Sequence, residues 1–201
     1  MPHSDYLLLE SIKVSEKQIH NLEYHQDRIL RSSKEIFGAA ARIDFEPIMD
    51  EIIALPSILF KLRLTYNDSF FKYEFVPYKL PTINTLKLIK SNGIDYTHKY
   101  NNRNMLSKLF RRRQHYDDIL IVKHGFLSDS YYCNLAFSQH GIWYTPSTPL
   151  LKGTKRQALL DQKQIIEKPI PSSKLSEYKS VSLINAMIDL EEIMVPISQV
   201  F

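Results

Sequence analysis

The stretch Tyr96-Thr-His-Lys-Tyr-Asn-Asn-Arg103 divides the chain and decides how the rest is read. It carries neither a helical nor an alternating apolar pattern. A strand-rich half precedes it and a more mixed half follows. A lysine among aromatic and amide neighbours, as Lys99 is, belongs by default to the solvated surface. Four features elsewhere argue for more: Arg28 on an early helix, Asp129 between two apolar runs, Asn134 inside one of them, and Gly153-Thr-Lys-Arg156 at the start of a helix.

Before the stretch, residues 6–14 predict a strand through Leu7, Leu8, Leu9 and Ile12, and residues 23–37 predict a helix. Leu22, Ile29 and Ile36 share one face of that helix, and Gly38 is its expected stop. His25 and Arg28 lie three apart and so share a face, which on the helix alone reads as a solvated edge. Residues 47–55 predict a short helix with Pro47 at its first position. Residues 58–66 and 70–76 alternate around the turn Asn67-Asp-Ser69 and predict a hairpin. Pro77-Tyr-Lys-Leu-Pro81 is an extended connector. It places the boundary between a smaller α+β domain (1–78) and a larger α/β domain (82–201).

Beyond the boundary, strands are expected at 82–90, 118–123, 131–137, 142–144, 165–170 and 181–187. Helices are expected at 104–114 and 154–162, with one helical turn at 174–178. Without strict strand–helix alternation the fold class is mixed α/β, or α+β.

The 201 residues carry 26 Lys and Arg against 22 Asp and Glu, a net charge of +4. That mild excess suits a small anionic ligand and does not call for nucleic acid. The run Arg111-Arg-Arg113 is too short to change this, and cations at a helix C-terminus explain it. One cysteine, Cys133, excludes an internal disulfide and fits a reducing, cytoplasmic setting. It reads as a packed residue. No apolar run is long enough to span a bilayer, and the start of the chain lacks a signal-peptide pattern. The seven histidines show no metal-ligand spacing, so no metal is expected. Phosphate loops of the Walker and GxGxxG types and the GxSxG elbow are absent.

Each remaining feature has a plain reading: a turn aspartate for Asp129, a helix cap for Thr154. Their joint order does not. Tyr24-His-Gln-Asp-Arg28 resembles the H-x-x-R helix of the class IV pyridoxal-phosphate aminotransferases, and His98-Lys-Tyr-Asn-Asn-Arg103 their K-x-x-N-R segment. Leu127-Ser-Asp-Ser-Tyr-Tyr-Cys-Asn134 resembles V-T-E-x-x-x-x-N, with Asp129 where Glu is usual. Leu150-Leu-Lys-Gly-Thr-Lys-Arg156 resembles L-x-G-I-T-R, with Thr154 and Lys155 where Ile and Thr are usual. Ser182-Leu-Ile-Asn-Ala-Met187 resembles the C-N-A-L-M stretch of the aminodeoxychorismate lyases in that family.

The resemblance implies a two-domain, D-amino acid aminotransferase-like fold (fold type IV) with pyridoxal 5'-phosphate in the cleft between the domains. It implies that Lys99 forms the Schiff base and is the catalytic base, that Arg28, Asn134, Thr154 and Lys155 help hold the cofactor, and that Asp129 meets the pyridine nitrogen. Arg63, Arg103 and Asn185 are candidate substrate contacts. The implied partners are a small anionic amino substrate and, as in the family, a second copy in a homodimer. The compact length and Asn185-Ala-Met187 favour a lyase that converts 4-amino-4-deoxychorismate to 4-aminobenzoate and pyruvate for folate synthesis. A transaminase of D- or branched-chain amino acids and a non-catalytic binding protein of the same fold are the alternatives.

Overall fold

A computed structural model describes residues 7–201; Tyr6, the first residue of the expected opening strand, lies outside them. The chain forms two compact units. One holds the described residues up to Leu80 together with His98–Asn102, and the other holds Pro81–Thr97 and Arg103–Phe201.

In the first unit β1 (Leu8–Ser15), β2 (Gln18–Ile19), β3 (Phe60–Tyr66) and β4 (Phe71–Pro77) form an antiparallel sheet in the order β2-β1-β3-β4. Inward residues of β1 and β3 alternate, as period-two burial requires: Leu8, Ile12 and Val14 on one strand, Phe60, Leu62 and Leu64 on the other. They pack with Ile29 of α1 (Leu22–Phe37) and Ile48 and Ile52 of α2 (Glu46–Ala54). Gly38 ends α1 with φ 77°, a left-handed conformation that costs a glycine little, and its N–H bonds the carbonyl of Lys34 at 3.0 Å. The β3–β4 turn is closed by Asn67, whose Oδ1 accepts the N–H groups of Ser69 and Phe70, both at 2.9 Å.

The second unit has two sheets. β5 (Leu86–Lys90) lies parallel to β6 (Asp118–Lys123), which pairs with β7 (Phe126–Leu127). The other sheet has the order β10-β9-β8-β11-β12, from β8 (Asn134–Gln139), β9 (Ile142–Pro146), β10 (Ile166–Lys168), β11 (Ser180–Ile184) and β12 (Met194–Pro196). The run Ile119–Val122 is buried throughout, as a continuous apolar run demands. Its helices are α3 (Asn104–Phe110) and α4 (Thr154–Asp161).

The strand expected at 82–90 forms only over Leu86–Lys90, and the one expected at 181–187 runs over Ser180–Ile184. Two further elements differ in kind. The helix expected over 104–114 becomes a 3-10 turn at Arg111–Arg113 and stops at Gln114, which has φ 61°. A 3-10 turn is a common way for an α-helix to end. The strand expected from 131 begins at Asn134, because Ser130 to Cys133 close a turn: the Ser130 N–H donates to the Cys133 carbonyl at 2.8 Å.

Candidate active site

Lys99 is fixed through its backbone. Its carbonyl accepts the N–H of Leu9 at 2.9 Å, and the N–H of Asn101 donates to the Leu7 carbonyl at 2.8 Å. These bonds lay residues 98–102 along β1, which is why the stretch needs no periodicity of its own. The Lys99 side chain is half-buried.

Beside it lies a buried cluster that the sequence reading missed. Arg28 and His25 are not a solvated edge: they are 5% and 0% exposed. The reason is Glu10, also 0% exposed, which points inward from β1 between Leu8 and Ile12. Arg28 Nε donates to Glu10 Oε1 at 2.8 Å and Nη2 to Oε2 at 2.5 Å, a bidentate pair, while His25 Nδ1 donates to Oε2 at 2.6 Å. Burial alone would raise the Glu10 pKa. The charge and hydrogen bonds of Arg28, with the bond from His25, outweigh it and hold the carboxyl down to about 2. Burial keeps His25 below its ordinary 6.5; Glu10 pulls it up again, and the cations of Arg28 and Lys99 push it down. His25 is therefore neutral, with its proton on Nδ1 toward the carboxylate. The signal in the sequence was parity: a carboxylate on the inward side of an alternating strand requires a cation.

In the second unit Asp129 is 6% exposed. Its Oδ2 accepts the N–H groups of Leu150 (2.9 Å) and Leu151 (3.0 Å), and its Oδ1 accepts Asn134 Nδ2 at 2.8 Å. The plain reading of a turn aspartate reaching water is thus overturned. Burial pushes its pKa up to about 6, against the lowering effect of these donors and of the Arg156 charge. Three donors occupy three of about four acceptor positions on a carboxylate, which leaves one on Oδ1.

Asn134 also donates to the Leu151 carbonyl at 2.8 Å, and its Oδ1 faces Gly153. A Cβ on Gly153 would sit 2.0 Å from that oxygen. Gly153 is in an extended conformation (φ −71°, ψ 146°), so close approach, not backbone freedom, requires glycine here. Gly153→Ala is expected to cost about 1–3 kcal/mol, read as a lower urea midpoint; an unchanged midpoint would mean that Asn134 is not held by Asp129.

Gly153 leads into α4, whose first N–H groups have no side-chain cap. Thr154 is buried at this start. The Lys155 side chain turns to an ion pair with Asp189, so only its backbone N–H serves the helix end. Arg156, 3% exposed, donates to the Pro146 carbonyl at 2.9 Å and pairs with Glu167, tying α4 to β9 and β10.

The three candidate substrate contacts are placed as follows. Arg63 donates to Glu74 and Asn101 at 2.8 and 2.9 Å. Arg103 donates to the Tyr131 carbonyl, and Asn185 Nδ2 reaches the Tyr132 carbonyl (3.4 Å) and Cys133 Sγ (3.2 Å). Cys133 is buried, and burial pushes its thiol up to about 12, which makes it a packed residue and no nucleophile. Among the described residues no cluster of His, Cys, Asp or Glu could hold a metal ion, and no helix is long and apolar enough to cross a membrane.

The aminotransferase class IV profile matches residues 7–200. An uncharacterised protein of Haemophilus influenzae is 33% identical over 186 residues, 90% of this chain and 98% of its own. The structure of a proposed 4-amino-4-deoxychorismate lyase from Haemophilus somnus superposes with a TM-score of 0.87 at 31% identity, covering 92% of this chain and 98% of that one. A hypothetical aminotransferase of Mycobacterium tuberculosis, solved in its PLP-bound form, gives 0.76 at 15% identity over 96% of this chain and 81% of its own. The fold is that of the class IV aminotransferases. The chain belongs to this family and is a pyridoxal-phosphate-dependent enzyme.

Proposed function

We propose that the protein is a lyase that converts 4-amino-4-deoxychorismate to 4-aminobenzoate and pyruvate, a step that supplies folate synthesis. The observation that supports this most is the likeness to the Haemophilus somnus protein, which extends over 98% of that chain. Asn185-Ala-Met187 points the same way.

The residues fit pyridoxal phosphate by their chemistry. Lys99 supplies the amine. Arg28, held on its Nε–Nη2 edge by Glu10, would supply a preoriented guanidinium for the phosphate. The uncapped start of α4 at Thr154 and Lys155 supplies N–H donors for an anion. Asp129 keeps one acceptor position for the ring N–H, and Asn134 holds that carboxylate in place.

When bound, the cofactor supplies an electron sink for the pair left on the substrate carbon. Lys99 Nζ would hold the cofactor and, when not so engaged, would be the base for the proton on the carbon that bears the substrate amine. Asp129 would offer a carboxylate to the ring nitrogen, where burial makes an unpaired charge costly. Arg28 and the α4 N–H groups would each supply donors for the phosphate.

Loaded protein given 4-amino-4-deoxychorismate and no keto-acid acceptor is expected to release pyruvate and 4-aminobenzoate in equal amounts. Asp129→Asn is expected to slow this release roughly 10²-fold or more while weakening cofactor binding much less. Release that depends on an added keto acid would reject the lyase, and an unchanged rate in the Asp129 variant would reject the ring contact.

A further inference from the structure

The turn from Ser130 to Cys133 projects from between two linked residues, Asp129 and Asn134, and its tip is pinned from several sides. The Tyr131 ring stacks on Phe110 with centroids 4.2 Å apart and planes 18° apart. Its hydroxyl bonds Ser107 Oγ at 2.9 Å, and its N–H donates to Asp118 Oδ1 at 3.3 Å. Arg103 donates to its carbonyl, and Asn185 to that of Tyr132. Two of the three side chains singled out as substrate contacts, Arg103 and Asn185, therefore brace this dipeptide.

The Arg103 guanidinium is also enclosed by rings. Its carbon lies 4.5 Å from the Tyr132 centroid, 4.6 Å from Tyr131 and 5.3 Å from Tyr96. Its Nε is buried with no hydrogen-bond partner among the described residues. Its polar contacts include the Tyr96 and Tyr131 phenols and the Tyr131 carbonyl, none of which is a carboxylate. Yet Tyr132 is 63% exposed. A solvated tyrosine on a loose loop would need no explanation. This one is held by a cation and a neighbouring ring, so it has little freedom left to lose when a flat partner lands on it. The charge behind it attracts anions over a range of about 8 Å.

We infer that Tyr132, backed by the Arg103 cation, is a specificity-determining residue whose exposed ring stacks on the six-membered ring of a carboxylate-bearing substrate. Arg103 acts through Tyr132 and is a positioning residue. The inference rests on the lyase reading for the identity of the ring. It explains why a compact chain would spend an arginine and three tyrosines beside the acid that serves the cofactor.

The test compares the loaded wild-type protein with Tyr132→Ala, Tyr132→Leu and Tyr132→Phe. Leu keeps an apolar cover on Arg103, so it stands in if Ala does not fold. Removing the ring is expected to raise KM for 4-amino-4-deoxychorismate about threefold to tenfold with kcat within about twofold. Affinity for 4-aminobenzoate, titrated directly, is expected to fall by the same factor, while affinity for pyruvate, which has no ring, stays put. Phe should keep both values near wild type. Unchanged 4-aminobenzoate affinity in the Ala and Leu variants, or an equal loss for pyruvate, would overturn the inference. If the wild type binds 4-aminobenzoate but releases no pyruvate, the lyase reading fails while the comparison of variants still decides the role of Tyr132.

Discussion

Lys99→Ala is expected to reduce turnover by about 10³-fold or more, to a level set by the rest of the site. The loss would be large because the proposed mechanism gives one side chain two duties, holding the cofactor and moving the substrate proton. It should not be a folding defect. The bonds that fix this segment run from the Leu9 N–H to the Lys99 carbonyl and from the Asn101 N–H to the Leu7 carbonyl, and both are backbone bonds that alanine keeps. The half-buried side chain contributes little to the core. Thermal unfolding within a few degrees of wild type, with activity absent, is the expected pair of results. Retained turnover would remove Lys99 from the mechanism.

Glu10→Gln is expected to have the largest effect on stability, a loss of about 3–5 kcal/mol, because it leaves the Arg28 charge buried without its counter-ion. The pH dependence has a definite sign. The folded pKa of Glu10 is about 2, below its ordinary 4.5. Its contribution is therefore fully present above about pH 4.5 and is lost as the pH falls toward 2. Urea unfolding of the two proteins should show a gap that is constant near neutrality and closes between those limits. His25 acts in the same direction from higher pH. Its folded pKa lies below 6.5, so the unfolded chain binds its proton first as the pH falls. A gap that does not close in acid would show that Glu10 is not ionised in the folded protein.

The sequence carried the parts of the fold that local rules control. The β3–β4 hairpin was legible because Asn67 and Ser69 are turn residues between two alternating runs, and Asn67 closes the turn through its own side chain. The end of α1 was legible from Gly38. The start of β8 was not, since the apolar pattern runs on through Tyr131 and Tyr132 while a tight turn, braced by Arg103 and Asn185 from distant elements, removes them from the strand.

The candidate site divides in the same way. Lys99, Arg28, Asp129, Asn134 and Thr154 stand at recognisable spacings, so a family resemblance could single them out. Their partners could not be found by spacing. Glu10 meets Arg28 only because β1 lies against α1, and the Leu150 and Leu151 N–H groups meet Asp129 from 21 and 22 residues away. The bland reading of His25 and Arg28 as a wet helix edge failed for this reason: helix periodicity reports a face, and the strand that covers it decides whether the face is buried. For Arg103 no local pattern indicated that Tyr96, Tyr131 and Tyr132 would surround it.

The central claim is covalent, and it can be measured without any substrate. The protein is mixed with pyridoxal phosphate, reduced with borohydride and digested, and the peptides are weighed. The account predicts a single cofactor-bearing peptide with the added mass on Lys99. No adduct, or an adduct on any other lysine, would contradict it.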